Sequence, residues 1–456
     1  MNRIVLPTLL FLFNYLLIAQ ENNVVSLSLR QCVQMAVEEN INIKTAKIER
    51  ERSLYKRSEA ISTLIPKINV GASIQDNIRI QTVPFSLNLP AIGMLPGVEM
   101  PMDGTIELGK KFSTAAAISL NWVLYNQTAI TATKLAKQIT EITDLGIEKA
   151  SEELSTEIAK LYFLTVITSQ QKQIVEENIA RVKQLQDITK RFVDTGMGRQ
   201  VDYDRVTINL ENLQTQLNNV EAGLEQQHNM IKYMLNIPLD TKIILTDNSE
   251  LQLLSGTPEI AVNFSDHIDI RLLEAQKDIN SMNQKMITSG YLPSLVLTGQ
   301  LATHGPRSEF KNYFNDSPES VWYNFSYIGL GVSIPVFDGL EKRAKSNQAK
   351  MEFMKTELLI SDKEEKFSAD YQNALTNYRN NNINLERQKH NIQLAEKVYN
   401  ETALKYREGM ATMSDLLQDE MSLSIAQSNY LTALFNYKEA ELKIMALNGQ
   451  IKSLIQ

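Results

Sequence analysis

The chain is written twice, and this duplication limits the folds open to it more than any bulk property does. The stretch "NINIKTAKIERERSLYKRSEAISTLIPKINVGASI" from Asn40 matches "HIDIRLLEAQKDINSMNQKMITSGYLPSLVLTGQL" from His267. His267 follows Asn40, and Pro293 follows Pro66, by the same 227 positions without a gap. Each copy reads as a helical stretch, an apolar-proline step and an alternating run. Further on, "SLNWVLYNQ" (Ser119–Gln127) resembles "SIPVFDGL" (Ser333–Leu340) with one inserted residue. "FVDTGMGRQVDYD" (Phe192–Asp204) resembles "YREGMATMSDLLQ" (Tyr406–Gln418), which sets Gly196 against Gly409 and Asp202 against Asp415 at an offset of 213. The first copy is therefore longer between its proline and its glycine. The surplus is expected in Thr82–Gly104, where four prolines and three glycines mark an irregular loop; Thr303–Ser320 is its shorter counterpart.

Helices of unusual length are expected. No proline falls between Pro101 and Pro238 or after Pro335. Beyond Pro335 the glycines are Gly339, Gly409 and Gly449, at an expected helix start, turn and helix end. Val206, Leu210, Leu213, Leu217, Val220 and Leu224 alternate steps of four and three, a heptad seam. In copy two the seam is Leu423, Ala426, Tyr430, Ala433 and Tyr437, and upstream of the first turn Val175, Ile179, Val182, Leu185, Ile188 and Phe192 form another stripe. From Asn126 to about Val193 the pattern predicts one helix of roughly 68 residues, about 100 Å at 1.5 Å per residue. A compact core does not hold such a helix. The chain is expected to turn at Gly196–Gly198 and return as a coiled-coil hairpin.

The strands are equally patterned. Phe112, Thr114, Ala116, Ile118, Leu120 and Trp122 alternate with Ser113, Ala115, Ala117, Ser119 and Asn121. Ile328, Leu330, Val332, Ile334 and Val336 alternate with Tyr327, Gly329, Gly331, Ser333 and Pro335. Ile68, Val70, Ala72 and Ile74 make a third apolar face, and Leu295, Leu297 and Leu301 a weaker fourth. One apolar face and one small or polar face suit a transmembrane barrel strand, and Trp122, Tyr125, Tyr291, Trp322, Tyr323 and Phe337 fall near strand ends, as interfacial aromatics do. A soluble sheet with one wet face is the competing reading. Four strands leave open edges that lipid does not tolerate, and single-chain barrels begin at about eight strands. Strands that span a membrane must therefore be pooled by several chains, and the repeat leaves open whether two, three or four do so.

Bulk properties exclude other classes. The 456 residues carry a formal charge of −7, with no electrostatic footprint for nucleic acid. Residues 1–19 read as a secretory signal peptide: Arg3 is followed by an apolar run from Ile4 to Ile18, broken by Pro7 and Asn14. No later run reaches the length of a membrane helix, so membrane insertion must use strands. Cys32, the only cysteine, is expected in a helix core and can form no intramolecular disulfide. Gly196 and Gly198 follow a helix instead of a strand and precede no Lys-Ser/Thr pair, unlike a phosphate loop. Asp202 and Asp204 point to different helix faces, with no histidine or glutamate placed to complete a metal site; they read as first-turn acids facing a helix dipole. His228, His267, His304 and His390 form no i,i+4 pair or nucleophile motif, so no enzyme, cofactor or metal is expected. The charged run Lys47–Arg57 reads as a solvated helix face.

Two copies of helix, proline-led strand, loop, strand, long helix, glycine turn and helix together resemble the TolC-like outer membrane efflux proteins. The resemblance covers nearly the whole mature chain. It is carried by "STLIPKINVGASI" and "ITSGYLPSLVLTGQL" at strand entry, "VSIPVFDG" at strand exit, and the turns "FVDTGMGRQVDYD" and "YREGMATMSDLL". It implies an α+β, mainly α fold: a homotrimer pooling four strands per chain into a twelve-stranded outer-membrane barrel, continuous with a periplasmic helical tunnel. The first repeat is expected at 20–235, with strands at 66–78 and 112–125, a loop at 79–111 and a helical tip near 195–200. A linker at 236–266 would belong to the tunnel's equatorial belt. The second repeat, 267–456, would hold strands at 293–303 and 321–337, a loop at 304–320 and a tip near 408–413. The resemblance further implies a passive export duct for efflux or type I secretion. A periplasmic adaptor (membrane fusion) protein would couple it to an inner-membrane pump of RND, ABC or MFS type. Gly196, Met197, Gly409 and Met410 become adaptor-docking positions, and Asp202, Asp204, Asp415 and Asp419 become pore-gate acids. Gln418 stands where the best-known member has its second acid in copy two, with Asp419 beside it, and Ala411 stands where that member has a basic residue. The alternative without a channel is an exported periplasmic coiled-coil scaffold.

Overall fold

The computed structural model describes residues 24–90, 99–247, 264–311 and 321–454; the expected signal peptide at 1–19 lies outside them, as does most of the linker. The first half holds β1 (Val24–Leu27), α1 (Leu29–Glu39), α2 (Ile41–Ser62), β2 (Lys67–Asp76), β3 (Gln81–Pro90) and β4 (Glu99–Leu108). It continues with β5 (Phe112–Asn126), α3 (Gln127–Asp194), α4 (Gln200–Met234) and β6 (Lys242–Leu245). The second half holds α5 (Ile268–Ser289), β7 (Ser294–Arg307), β8 (Tyr323–Ser333), α6 (Glu341–Arg407) and α7 (Met413–Leu447). Among the described residues no helix is long and apolar enough to cross a membrane. The chain divides into two compact units, and α3 and α6 contribute residues to both.

The helical unit comprises Met1–Glu49, Thr143–Leu273 and Leu359–Gln456. Ser28 starts α1 with a capping box closed by Gln31, which satisfies two backbone donors reciprocally. Asn40 breaks the helix in an extended conformation and accepts from the Asn42 N–H at 2.8 Å, so one residue ends α1 and begins α2. Cys32, Val33 and Ala36 are fully buried against Ile158, Ala159, Tyr162 and Phe163 of α3, in a core that also takes Leu235 and Ile243. Burial pushes the Cys32 thiol up to about 12. The parallel pair of β1 and β6 joins Val24 with Lys242 through Leu27 with Leu245. A second core gathers Val175, Ile179, Val182 and Leu185 of α3, Val206, Leu210 and Leu213 of α4, and Met413 and Leu416 of α7. The expected seam is thus largely an interior, although Phe192 at its end is exposed.

The strand unit comprises Arg50–Ile142 and Glu274–Leu358. Its main sheet is antiparallel in the order β2-β5-β7-β8, so β2 and β8 each have one partner among the described residues. The register lines up Ile68, Leu120, Gly299 and Ile328 across the four strands, and two residues on, Val70, Ile118, Leu301 and Ser326. Between them runs a row of Asn69, Ser119, Gln300 and Tyr327. Because alternate rows face opposite ways, pairing collects the alternating apolar sets of the four strands on one face, while the other holds mainly small or polar residues together with Val296, Phe325 and Tyr327. The Trp122 indole donates to the Leu64 carbonyl at 3.1 Å, fixing the chain at the entry to β2.

Three local expectations change. Residues 79–111 are not an irregular loop throughout: β3 and β4 pair from Gln81 with Leu108 to Pro90 with Glu99. Prolines fit there because each strand of a two-stranded ribbon has a free side on which a missing N–H breaks no ladder. β7 runs four residues beyond the expected 303, because β5 extends to Phe112 and supplies Arg307 with a partner. β8 stops at Ser333 instead of 337, since its partner begins at Ser294, directly after Pro293.

Candidate functional site: the two helix turns

The two turns end their helices in the same way. After α3, the Met197 N–H reaches back to the Phe192 carbonyl at 2.9 Å and the Gly196 N–H to Val193 at 2.9 Å. After α6, the Met410 N–H bonds Lys405 at 2.8 Å and the Gly409 N–H bonds Tyr406 at 3.0 Å. These paired 6→1 and 5→2 bonds require a left-handed residue, supplied by Gly196 at φ +73° and Gly409 at φ +75°. Gly198 is constrained differently. A Cβ there would lie 2.8 Å from the Phe192 Cβ and 3.0 Å from backbone, so only glycine allows this close return. Met197 and Met410, 77% and 67% exposed, stand at the two apices.

Asp202 and Asp415 each occupy the third position of the returning helix, α4 and α7, where a carboxylate meets the positive end of the helix dipole. Their partners differ. Arg199 grips Asp202 with two hydrogen bonds, at 2.9 and 3.2 Å, and Arg205 lies 3.7 Å away. Asp415 accepts from the Thr412 backbone at 3.0 Å and hydroxyl at 2.7 Å, and its own N–H donates to that hydroxyl. The Thr412 hydroxyl and backbone N–H hold its carboxyl below the usual range. The copies therefore neutralise equivalent acids differently, one by cations and one by a helix cap. Asp204 is exposed and accepts from Gln200 at 2.9 Å, while Asp419 is half-buried. Among the described residues no cluster of three or more His, Cys, Asp or Glu side chains could hold a metal ion.

Two features escape the sequence reading. Tyr406, just before the second turn, is half-buried near Asp202; burial pushes its phenol up, and a hydrogen bond with Thr189 opposes this. Glu420 is buried within α7 and faces Arg181 of α3 at 3.7 Å. Its signal was available: Met413, Leu416, Glu420 and Leu423 keep heptad steps, so a charge at a seam position marks the site.

The family model for outer membrane efflux proteins matches residues 32–236 and 268–450. The chain is 22% identical over 440 residues to the outer membrane protein TolC of Vibrio cholerae, covering 93% of this chain and 91% of that protein. Among solved structures, the CmeC outer membrane channel of Campylobacter jejuni aligns with a TM-score of 0.71 at 16% identity, over 94% of this chain and 89% of that one. The open-state MtrE outer membrane channel of Neisseria gonorrhoeae aligns with a TM-score of 0.69 at 18% identity, over 94% and 90%. Matched in both halves, and sharing its fold with these channels, the chain belongs to the outer membrane efflux protein family and is an outer membrane channel, not an enzyme.

Proposed function

We propose that three copies of the chain close one twelve-stranded barrel in the outer membrane, each supplying β2, β5, β7 and β8, while their helices line a periplasmic tunnel. The observation that carries this reading is the sheet register. It gathers the alternating apolar sets of four strands on one face and leaves β2 and β8 as open edges among the described residues. A sheet of that kind is unsatisfied in lipid until other copies pair with its edges. The two separate blocks matched by the family model support two structural repeats, 20–235 and 267–456, joined by a belt linker at 236–266.

The duct is passive. A periplasmic adaptor docks on the turns at Gly196, Met197, Gly409 and Met410 and couples the channel to an inner-membrane pump of RND, ABC or MFS type. The exposed methionines support this role, since flexible thioethers adapt to a partner surface. Asp202, Asp204, Asp415 and Asp419 line the inner mouth, and opening parts the tip helices. Membrane fractionation followed by planar-bilayer recording tests the whole: a trimer from the outer membrane that forms ion channels supports it. Recovery as a soluble periplasmic monomer would sink it in favour of the scaffold.

A further inference from the structure

Behind the turns, a charge occupies a place that the seam reserves for a hydrophobe. Glu420 is 3% exposed, so neither solvent nor a neighbouring copy has more than marginal access to it. Its cation is Arg181, whose Nε lies 3.7 Å from the Oε2. Neither carboxylate oxygen has a hydrogen-bond partner, and the Arg181 Nε has none either. The guanidinium is also engaged elsewhere. It donates to Asn178 on its own helix, and its carbon lies 5.7 Å from the Tyr399 ring of α6. Asn178 in turn donates to Gln427 of α7 at 3.1 Å. Core residues Val182 and Leu416 flank the pair on α3 and α7. The groups facing Glu420 are therefore Arg181 from α3 and the Tyr399 phenol from α6, with Arg407 acting on Tyr399.

A carboxylate taken from water and given one distant cation does not recover its hydration, so the pair opposes its own burial. We infer that Arg181 and Glu420 form a counter-spring behind the gate: the ionised carboxylate works against the resting packing of α7 on α3, and hydration of Glu420 drives the helices apart. This rests on reading the turns as a gate. Burial holds the Glu420 carboxyl above the usual range, with Arg181 the weaker, opposing influence. The packed arrangement thus binds the Glu420 proton more tightly than a hydrated, parted one. Acidification favours packing, and neutral pH favours opening. The ratio of packed to parted states changes by about tenfold for each unit separating the two pKa values. An attractive latch would carry the opposite sign.

Single-channel recording of the full-length protein in planar bilayers, near neutral and at acidic pH, tests this. The unaltered channel should open less often in acid. Glu420→Gln keeps the shape and removes the charge. It should open at neutral pH about as rarely as the unaltered channel does in acid, with a flattened pH response. The double variant Arg181→Met with Glu420→Met leaves no buried charge to misfold around and should shift the same way. Either variant opening as often as the unaltered channel, or Glu420→Gln keeping the full pH response, overturns the inference. Channels with such unaltered gating overturn it alone, whereas no channels from the unaltered protein overturn the gate reading with it.

Discussion

The Tyr162 hydroxyl and the Asp247 carboxylate meet at 3.0 Å, and the same hydroxyl accepts the Asp247 backbone N–H at 3.1 Å. The carboxylate also takes the Leu29 N–H at 2.7 Å, at the first turn of α1. One aspartate thus ties the N-terminal strand and helix to the interior of α3 and to the end of β6. Asp247→Ala takes the acceptor from the Leu29 helix N–H, while the Tyr162 hydroxyl keeps the Leu27 carbonyl and the backbone N–H of residue 247, an expected loss of about 2 kcal/mol. Asp247→Asn keeps an acceptor and loses less. Heat-inactivation midpoints, at one scan rate because such unfolding is irreversible, should fall in that order.

The glycines of the first turn should differ in tolerance. Gly196→Ala meets open space and suffers only the left-handed backbone, at about 1 kcal/mol. Gly198→Ala must displace the Phe192 Cβ and backbone, so it should disturb the turn more. Hydrogen exchange across residues 192–202 reads the difference; equal protection in the two variants contradicts the close return at Gly198.

Selectivity at the mouth should follow the tip acids. Replacing Asp202 and Asp415 together by Ala should lower cation preference, read as a shift in reversal potential; an unchanged potential removes them from the pore lining. Because Thr412 lowers the Asp415 pKa, the charge of Asp415 persists as pH falls through the ordinary carboxylate range. The stability linked to it is present above the unfolded-state pKa and is lost only as pH drops through the lowered folded value. Thr412→Ala should move that loss to higher pH.

Adjacent residues of β5 offer a sharper test of the sheet. Ile118 lies in an apolar row and Ser119 in the polar row beside it. Ile118→Lys should weaken the assembled channel by about 2–4 kcal/mol if it faces mid-bilayer, while Ser119→Lys should be accepted. The yield of heat-resistant oligomer from outer membranes measures both, and equal yields would contradict the assignment of faces.

The long hairpins were legible because their signals are local. Proline exclusion, heptad steps and a glycine at each turn lie within a few residues of the structure they specify. Alternation along each strand was legible too, but the shared face emerges only when the register joins Ile68, Leu120 and Ile328. The ribbon of β3 and β4 stayed hidden because Pro84, Pro90 and Pro101 speak against a strand unless an edge is assumed. The pair of β1 and β6 has four residues a side and partners more than 200 positions apart, with no local mark. At the turns, Arg199 stood three residues before Asp202 in plain view, yet its grip depends on the cap geometry. Glu420 is hard to see in the sequence because a charge reads as the end of a seam, when here it lies inside one.

The open edges of β2 and β8 carry a genetic consequence. In the proposed trimer, a chain whose sheet is completed by other chains cannot finish folding by itself, so the last step of maturation depends on the concentration of its siblings. A variant with intact edge strands but a ruined gate would still be admitted to the ring. Co-expressed with the normal chain, a minority of such variants would spoil a majority of channels, and the defect would be inherited as dominant. A variant broken at β2 or β8 would be excluded and would behave as recessive.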